Sequence, residues 1–174
     1  MKTVRRDALR PGDHIYSDRT LRLYFHHGIY VGDDMVIHLM GPSKIYDRPP
    51  CKKCGFKPQT GIFKTCLDCF LEGHSLYRYE YDVSYLELLF KHRGSCSSRH
   101  CKPANEVVET AHRLLQNQSF GSYNFFLNNC EDFAMFCKTG VAGSHQLAGL
   151  GVLNLVGAVY DAVAEGIYEG VAYK

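Results

Sequence analysis

The sequence predicts an α+β domain in which an antiparallel sheet packs on helices and a small insertion carries four cysteines. β-Forming residues alternate from Leu23 to Val31 and resume from Met35 to Met40, with Gly32-Asp33-Asp34 between them, which is a hairpin pattern. Downstream, the segments near 103–115 and 130–140 hold apolar residues at helical spacing between start and stop signals.

Taken in order, Pro11-Gly12 marks a turn before a short strand at His14-Ile15-Tyr16, and Gly41-Pro42 ends the hairpin. Residues 47–74 change character with Pro49-Pro50, Cys51-Lys52-Lys53-Cys54-Gly55 and Cys66-Leu67-Asp68-Cys69, and read as an insertion organised around metal. Ser75 to Tyr81 returns to alternation and places Tyr77, Tyr79 and Tyr81 on one face. Ser84-Tyr85-Leu86-Glu87 is a capping box that opens a short helix, which Arg93-Gly94 closes. Pro103 suits a first helical position, and Val107, Val108, Ala111, Leu114 and Leu115 then trace one apolar stripe. In the next helix Asn128 or Asn129 is the cap, Glu131 and Asp132 suit the first turn, Lys138 the last, and Gly140 the stop.

A chain of 174 residues with 45% hydrophobic and 22% charged content has enough apolar material for one core. The formal charge of +2, without a Lys/Arg stripe, argues against nucleic acid as a partner. No stretch reaches the ~18–20 apolar residues of a membrane span; Leu147 to Tyr160 comes nearest and is interrupted by Asn154. Met1 to Arg10 holds no secretory pattern. The eight cysteines therefore point to a reducing, cytoplasmic setting and to metal or catalytic use.

Cys130 falls in the first turn of its helix, where the positive end of the dipole favours a thiolate. Such a thiol is a candidate nucleophile if a base reaches it. Strand alternation puts Tyr24, His26, Gly28 and Tyr30 on one face and His27 on the other, where it packs or faces solvent. A three-residue loop at Gly32-Asp33-Asp34 pairs Val31 with Met35 and Gly28 with His38. His26 and His38 are then diagonal neighbours on one face, their Cα atoms roughly 7–8 Å apart. A two-residue loop puts them on opposite faces. A lone histidine on a hairpin is ordinarily a polar surface residue; a pair sharing a face, in a chain that offers a helix-start cysteine, is a candidate catalytic set. Cys137 needs no role beyond a small buried apolar side chain.

Cys51-x2-Cys54 and Cys66-x2-Cys69 are two thiolate pairs that chelate through tight turns and together form a tetrahedral Zn²⁺ site. With sulfur in every position the zinc is structural, and it folds a segment too small and polar to hold itself. Placed after the hairpin, the insertion is in a position to shape one wall of the site. The alternative is two disulfides or free thiols in a loop. Cys96 and Cys101, with His92 and His100, allow a second metal by spacing, but Gly94, Ser95, Ser97 and Ser98 favour exposed thiols in a mobile loop.

His26-His27-Gly28-Ile29-Tyr30-Val31-Gly32, His38-Leu39, Asn129-Cys130-Glu131-Asp132-Phe133 and Pro11-Gly12-Asp13 together resemble the motifs of the lecithin:retinol acyltransferase-like family, which includes small phospholipase A/acyltransferases. Within it, His27 stands in place of a tryptophan and Asp132 in place of a histidine. The cysteine insertion and the Asn-Cys-Glu-Asp-Phe variant look like the plant branch, often called NC-domain proteins. The resemblance implies a circularly permuted papain-like (NlpC-type) fold, with the histidine strand before the nucleophile helix. It implies Cys130 as nucleophile, His26 as general base and His38 as the member that orients His26. The expected organisation is a catalytic domain over 1–145, containing the 47–74 zinc-binding insertion, and a Gly/Ala/Val-rich segment over 146–174. In that segment Val152, Leu155, Val156, Val159 and Val163 share a helical stripe, read as a docked helix. Peripheral membrane contact is not expected, because the opposite face has no Lys/Arg belt.

The expected activity is a thiol-dependent acyltransferase or acyl hydrolase working through an acyl-Cys130 thioester. Its partners are a lipid or small-molecule acyl donor, carrying an ester or amide, and an acceptor or water. Phe125, Phe126 and Leu127 either line a channel for such a donor or pack in the core. A cysteine peptidase or amidase on the same fold, and a zinc-stapled interaction module without turnover, are the alternatives.

Overall fold

Strands β1 (His14–Arg19), β2 (Tyr24–Gly32), β3 (Met35–Met40), β4 (Gly61–Cys66) and β5 (Leu76–Arg78) form one antiparallel sheet in the order β4-β3-β2-β1-β5. Helices α1 (Leu67–Leu71), α2 (Tyr85–Phe90), α3 (Ala104–Asn117) and α4 (Cys130–Thr139) complete the α+β arrangement. The computed structural model describes residues 2–19, 24–41, 49–91, 95–120 and 129–141. The 146–174 segment and the Phe125–Leu127 stretch lie outside them.

The sheet separates two apolar layers. On one face Ile29, Ile37, Leu39 and Ile62 pack against Val107, Ala111 and Leu114 of α3 and Phe133, Ala134 and Cys137 of α4. On the other, Ile15 and Val36 pack against Leu67, Phe70 and Leu71 of α1. Pro103 sits one position earlier than expected, as the N-cap of α3. Ser84 and Glu87 close the expected capping box of α2, whose Tyr85, Leu86, Leu89 and Phe90 are all exposed.

The hairpin turn is shorter than the sequence suggests, yet the expected face pairing survives. Asp33 and Asp34 alone form the loop, at φ 51° and 59°, and Gly32 opposes Met35. A two-residue loop by itself would turn His38 away from His26. A bulge between Tyr30 and Gly32 restores the phase, because the ladder resumes with Tyr30 opposite Val36 and Ile29 opposite Ile37. Carried one step further, that ladder sets Gly28 opposite His38.

Gly28 is required there by space. A Cβ at this position meets Val36 Cγ1 at 2.7 Å, Phe70 Cε2 at 2.9 Å and His38 Cβ at 3.0 Å. Gly28→Ala is expected to cost ~1–3 kcal/mol by overpacking; a urea denaturation midpoint unchanged from wild type would contradict this close approach.

The insertion corrects one expectation. Residues 47–74 are more than a metal loop, because Gly61–Cys66 is an edge strand of the main sheet, paired from Met35 opposite Cys66 to Met40 opposite Gly61. Ile62 enters the α3/α4 core, while Leu67, Phe70 and Leu71 enter the α1 layer. The Leu67 amide also donates to the Asp34 carbonyl at 2.8 Å, and Lys53 pairs with Asp34, so the segment is tied to the hairpin turn.

Candidate active site

Asn129 builds the start of α4. Its side-chain oxygen accepts from the amides of Glu131 at 2.9 Å and Asp132 at 3.0 Å, and Asp132 Oδ2 accepts from the Asn129 amide at 3.3 Å. Asp132 thus closes a capping box. Gly140 ends the helix at φ 80°.

The helix start inserts Cys130 against the edge of β2. The backbone of Tyr30 faces the β1 side, where it meets Gly12 and Asp13, so the backbones of Ile29, His27 and Phe25 face the opposite edge. The β2–β3 ladder occupies that edge at Ile29. Farther along, the Cys130 thiol donates to the Phe25 carbonyl at 3.6 Å and the His27 amide supports its sulfur. The Tyr24 hydroxyl lies 3.0 Å from Sγ. Cys130 is only 1% exposed.

That burial decides its ionisation. Desolvation pushes the Cys130 thiol up to about 11, against the opposing pull of the Tyr24 hydroxyl and the His27 amide. Burial thus opposes the thiolate that the helix dipole favours, because a charge at this site would lose its hydration.

His26 and His38 do meet. His26 Nε2 lies 2.8 Å from His38 Nδ1, and His38 Nε2 lies 2.9 Å from Thr65 Oγ1. Phe70 packs on both rings, at centroid distances of 5.1 and 5.3 Å, so α1 of the insertion walls the pair. Among the described residues no hydrogen bond joins His26 to Cys130; the Tyr24 ring, centred 6.4 Å from that of His26, carries the hydroxyl that touches the sulfur. Tyr24 and Thr65 were not singled out from the sequence. Strand alternation already placed Tyr24 on the His26 face, whereas nothing local marks Thr65.

His27 points to the opposite face and is fully buried, as a packing residue. It stacks on Tyr16 at 5.4 Å, and its Nδ1 lies 2.9 Å from His14 Nε2; His14 Nδ1 in turn lies 2.8 Å from the Tyr81 hydroxyl. Burial holds all four imidazoles below their ordinary range, with His27 and His38 brought down to about 3, and the His38 ring adds to the lowering at His26. An unfolded histidine takes up a proton below pH 6.5 while each folded one does not, so the unfolded state binds more protons and stability falls as pH drops through that value. Each group contributes up to ~1.4 kcal/mol per pH unit. Thermal melts should show Tm falling steeply between about pH 6.5 and 5; a Tm flat across that window would contradict neutral burial.

Cys51, Cys54, Cys66 and Cys69 gather with their sulfurs all within 4.8 Å of one another. Cys51 and Cys66 lie 3.9 Å apart, and Cys54 and Cys69 3.7 Å. A tetrahedron with Zn–S bonds of ~2.3 Å has edges of about 3.8 Å, so these positions fit a metal. The Cys54 amide, with the Cys69 thiol and the Lys53 amide, brings the Cys51 thiol down to about 6. Cys96 and Cys101 form no such group among the described residues, and His100 pairs instead with Asp82 at 2.7 Å; the expected exposed thiols are corrected, because Cys96 is buried and Cys101 part-buried.

A family model described as lecithin retinol acyltransferase matches residues 7–143. The chain is 44% identical to Protein LEAD-SENSITIVE 1 of Arabidopsis thaliana over 79% of its own length and 60% of that relative's. It therefore spans less than two thirds of the plant relative. It is also 29% identical to phospholipase A and acyltransferase 3 of Mus musculus, over 86% of this chain and 90% of the mouse protein. With phospholipase A and acyltransferase 2 of Homo sapiens it shares 27% identity over 85% of this chain and 82% of the relative. Among the described residues no helix is long and apolar enough to cross a membrane.

Proposed function

The chain belongs to the lecithin retinol acyltransferase family, and from that premise we propose that it is a thiol-dependent acyltransferase or acyl hydrolase, with Cys130 as nucleophile, His26 as base and His38 as its orienting partner. The observation that carries this reading is the thiol of Cys130 held on the edge of β2 at Phe25 and His27. It thus flanks His26, whose ring is fixed by His38 at 2.8 Å. A histidine strand that precedes the nucleophile helix is the order a permuted papain-like domain would have. The relatives named as acyltransferases support the reaction class.

The reaction starts from two neutral groups. As the Cys130 sulfur bonds to the carbonyl carbon of an ester or amide, its proton passes to His26. Asn129 has already taken the amides of Glu131 and Asp132, which leaves the Cys130 amide as the helix-start donor for the oxyanion. The tetrahedral species collapses to acyl-Cys130, and the leaving alcohol or amine receives the proton from His26. Water or an acceptor alcohol or amine then gives a proton to His26 as it attacks the thioester, and the thiol is reprotonated. The Tyr24 hydroxyl supports the sulfur whenever it carries negative charge.

The four cysteines would hold a structural Zn²⁺, Cys51 and Cys54 from the loop and Cys66 and Cys69 from the β4–α1 junction. Zinc held by these four sulfurs would supply a structural cross-link for the insertion.

Turnover of purified protein on a panel of lipid esters, small esters and peptides tests the assignment. Release of acyl groups from esters is expected, with kcat/KM level from about pH 8 down to the ordinary histidine value of 6.5, because His26 is already neutral there. Cleavage of peptides alone would favour a peptidase, and no turnover with any donor would favour a binding module.

A further inference from the structure

We propose that Thr65 is a positioning residue that decides which nitrogen of His26 is the base. It does so by imposing one direction of proton donation from β2 through β3 to the end of β4. The inference rests on His26 acting as the base and adds how that base is made ready.

The chain of contacts is short and closed. The Thr65 hydroxyl donates to the Cys66 carbonyl at 3.3 Å. A carbonyl only accepts, so a hydroxyl proton directed to it leaves Thr65 Oγ1 with a lone pair for His38 Nε2 at 2.9 Å. His38 Nε2 therefore carries the ring's hydrogen. A neutral imidazole has a single N–H, so His38 Nδ1 is bare and accepts from His26 Nε2 at 2.8 Å. The hydrogen of His26 is thereby placed on Nε2, and its Nδ1 is left as the lone pair that takes the thiol proton.

The reverse order is the unproductive one. If Thr65 donated to His38 Nε2, every proton would shift by one atom. His26 would then carry hydrogen on Nδ1, with its lone pair spent on His38. Thr65 is 0% exposed and His38 1%, so solvent has little access to substitute another partner. The acceptor that sets the direction is also rigidly placed. Cys66 pairs with Met35 across the ladder, caps α1, and belongs to the four-cysteine group. The residues sequence reading assigns only to a metal loop thus hold the last link of the histidine chain.

Two measurements test this. In ¹⁵N-histidine spectra of the wild-type protein, Nε2 of both His26 and His38 should be protonated and Nδ1 of both bare; hydrogen on Nδ1 of His26 overturns the proposal. Thr65→Val keeps the shape and removes the acceptor, so kcat should fall roughly ten- to hundredfold with KM within about twofold. Thr65→Ser should restore kcat to within about threefold. Thr65→Val with wild-type kcat and unchanged tautomers also overturns it. The spectra read proton order directly and stand whether or not an acyl donor is found or the valine variant folds. Failure of His26 as a base would appear instead as turnover unaffected by His26→Gln.

Discussion

Cys130→Ala is expected to lose acyl-ester turnover by ~10⁴-fold or more, the scale on which removal of a nucleophile acts when base, oxyanion donor and nucleophile work as one unit. The substitution removes one sulfur from a site that is 1% exposed. Its contacts are the Phe25 carbonyl, the His27 amide and the Tyr24 hydroxyl, and the Asn129 cap does not depend on it. The helix should therefore stay formed, with an unchanged far-ultraviolet circular dichroism spectrum. A variant that keeps activity to within tenfold of wild type would remove Cys130 from the chemistry. The control is Cys137→Ala, seven residues later on the same helix and packed in the α3/α4 core, which should weaken stability and spare kcat.

The second large effect concerns the four cysteines. Protein purified without chelator should contain about one zinc per chain, since a closed four-sulfur site is a structural one. Its removal should be felt well beyond the loop. Cys66 ends β4 and caps α1, and α1 carries Leu67, Phe70 and Leu71 into the core. Structural zinc contributes on the order of 10 kcal/mol of binding free energy to folding in small modules, so Cys66→Ser or chelation should unravel the β4 edge and lower Tm by well over ten degrees. Loss of activity should follow, because Phe70 walls the histidine pair. Zinc far below one per chain, together with a Tm indifferent to chelator, would contradict a metal here.

The local features of this fold are legible in the sequence, and the long-range ones are not. The cap at Asn129, the stop at Gly140 and the box at Ser84 depend on residues within one turn, and each stands where expected. The partnership of His26 with His38 was also legible, although by a loop of the wrong length. A two-residue turn plus a bulge keeps the same phase as a three-residue turn, and composition does not distinguish them. β4 was hidden for a different reason. Gly61-Ile62-Phe63-Lys64-Thr65 alternates, but the flanking cysteine pairs made the whole segment read as a metal loop. The protonation of Cys130 depends on burial between a helix start and a strand edge 105 residues away in sequence. A dipole argument from the helix alone cannot supply that.

The same distinction explains Tyr24 and Thr65. Both act through side-chain contacts with partners on other elements, 106 residues from Tyr24 to Cys130 and 27 from His38 to Thr65. No periodicity reports such pairs.

Covalent trapping tests the central claim most directly. Intact-mass spectrometry of the protein after brief incubation with a reactive acyl ester should show one added acyl group, lost on treatment with neutral hydroxylamine as a thioester is, and absent from Cys130→Ala. An adduct of the same size on Cys130→Ala, or ester turnover that never passes through an acylated Cys130 on wild type, would contradict it.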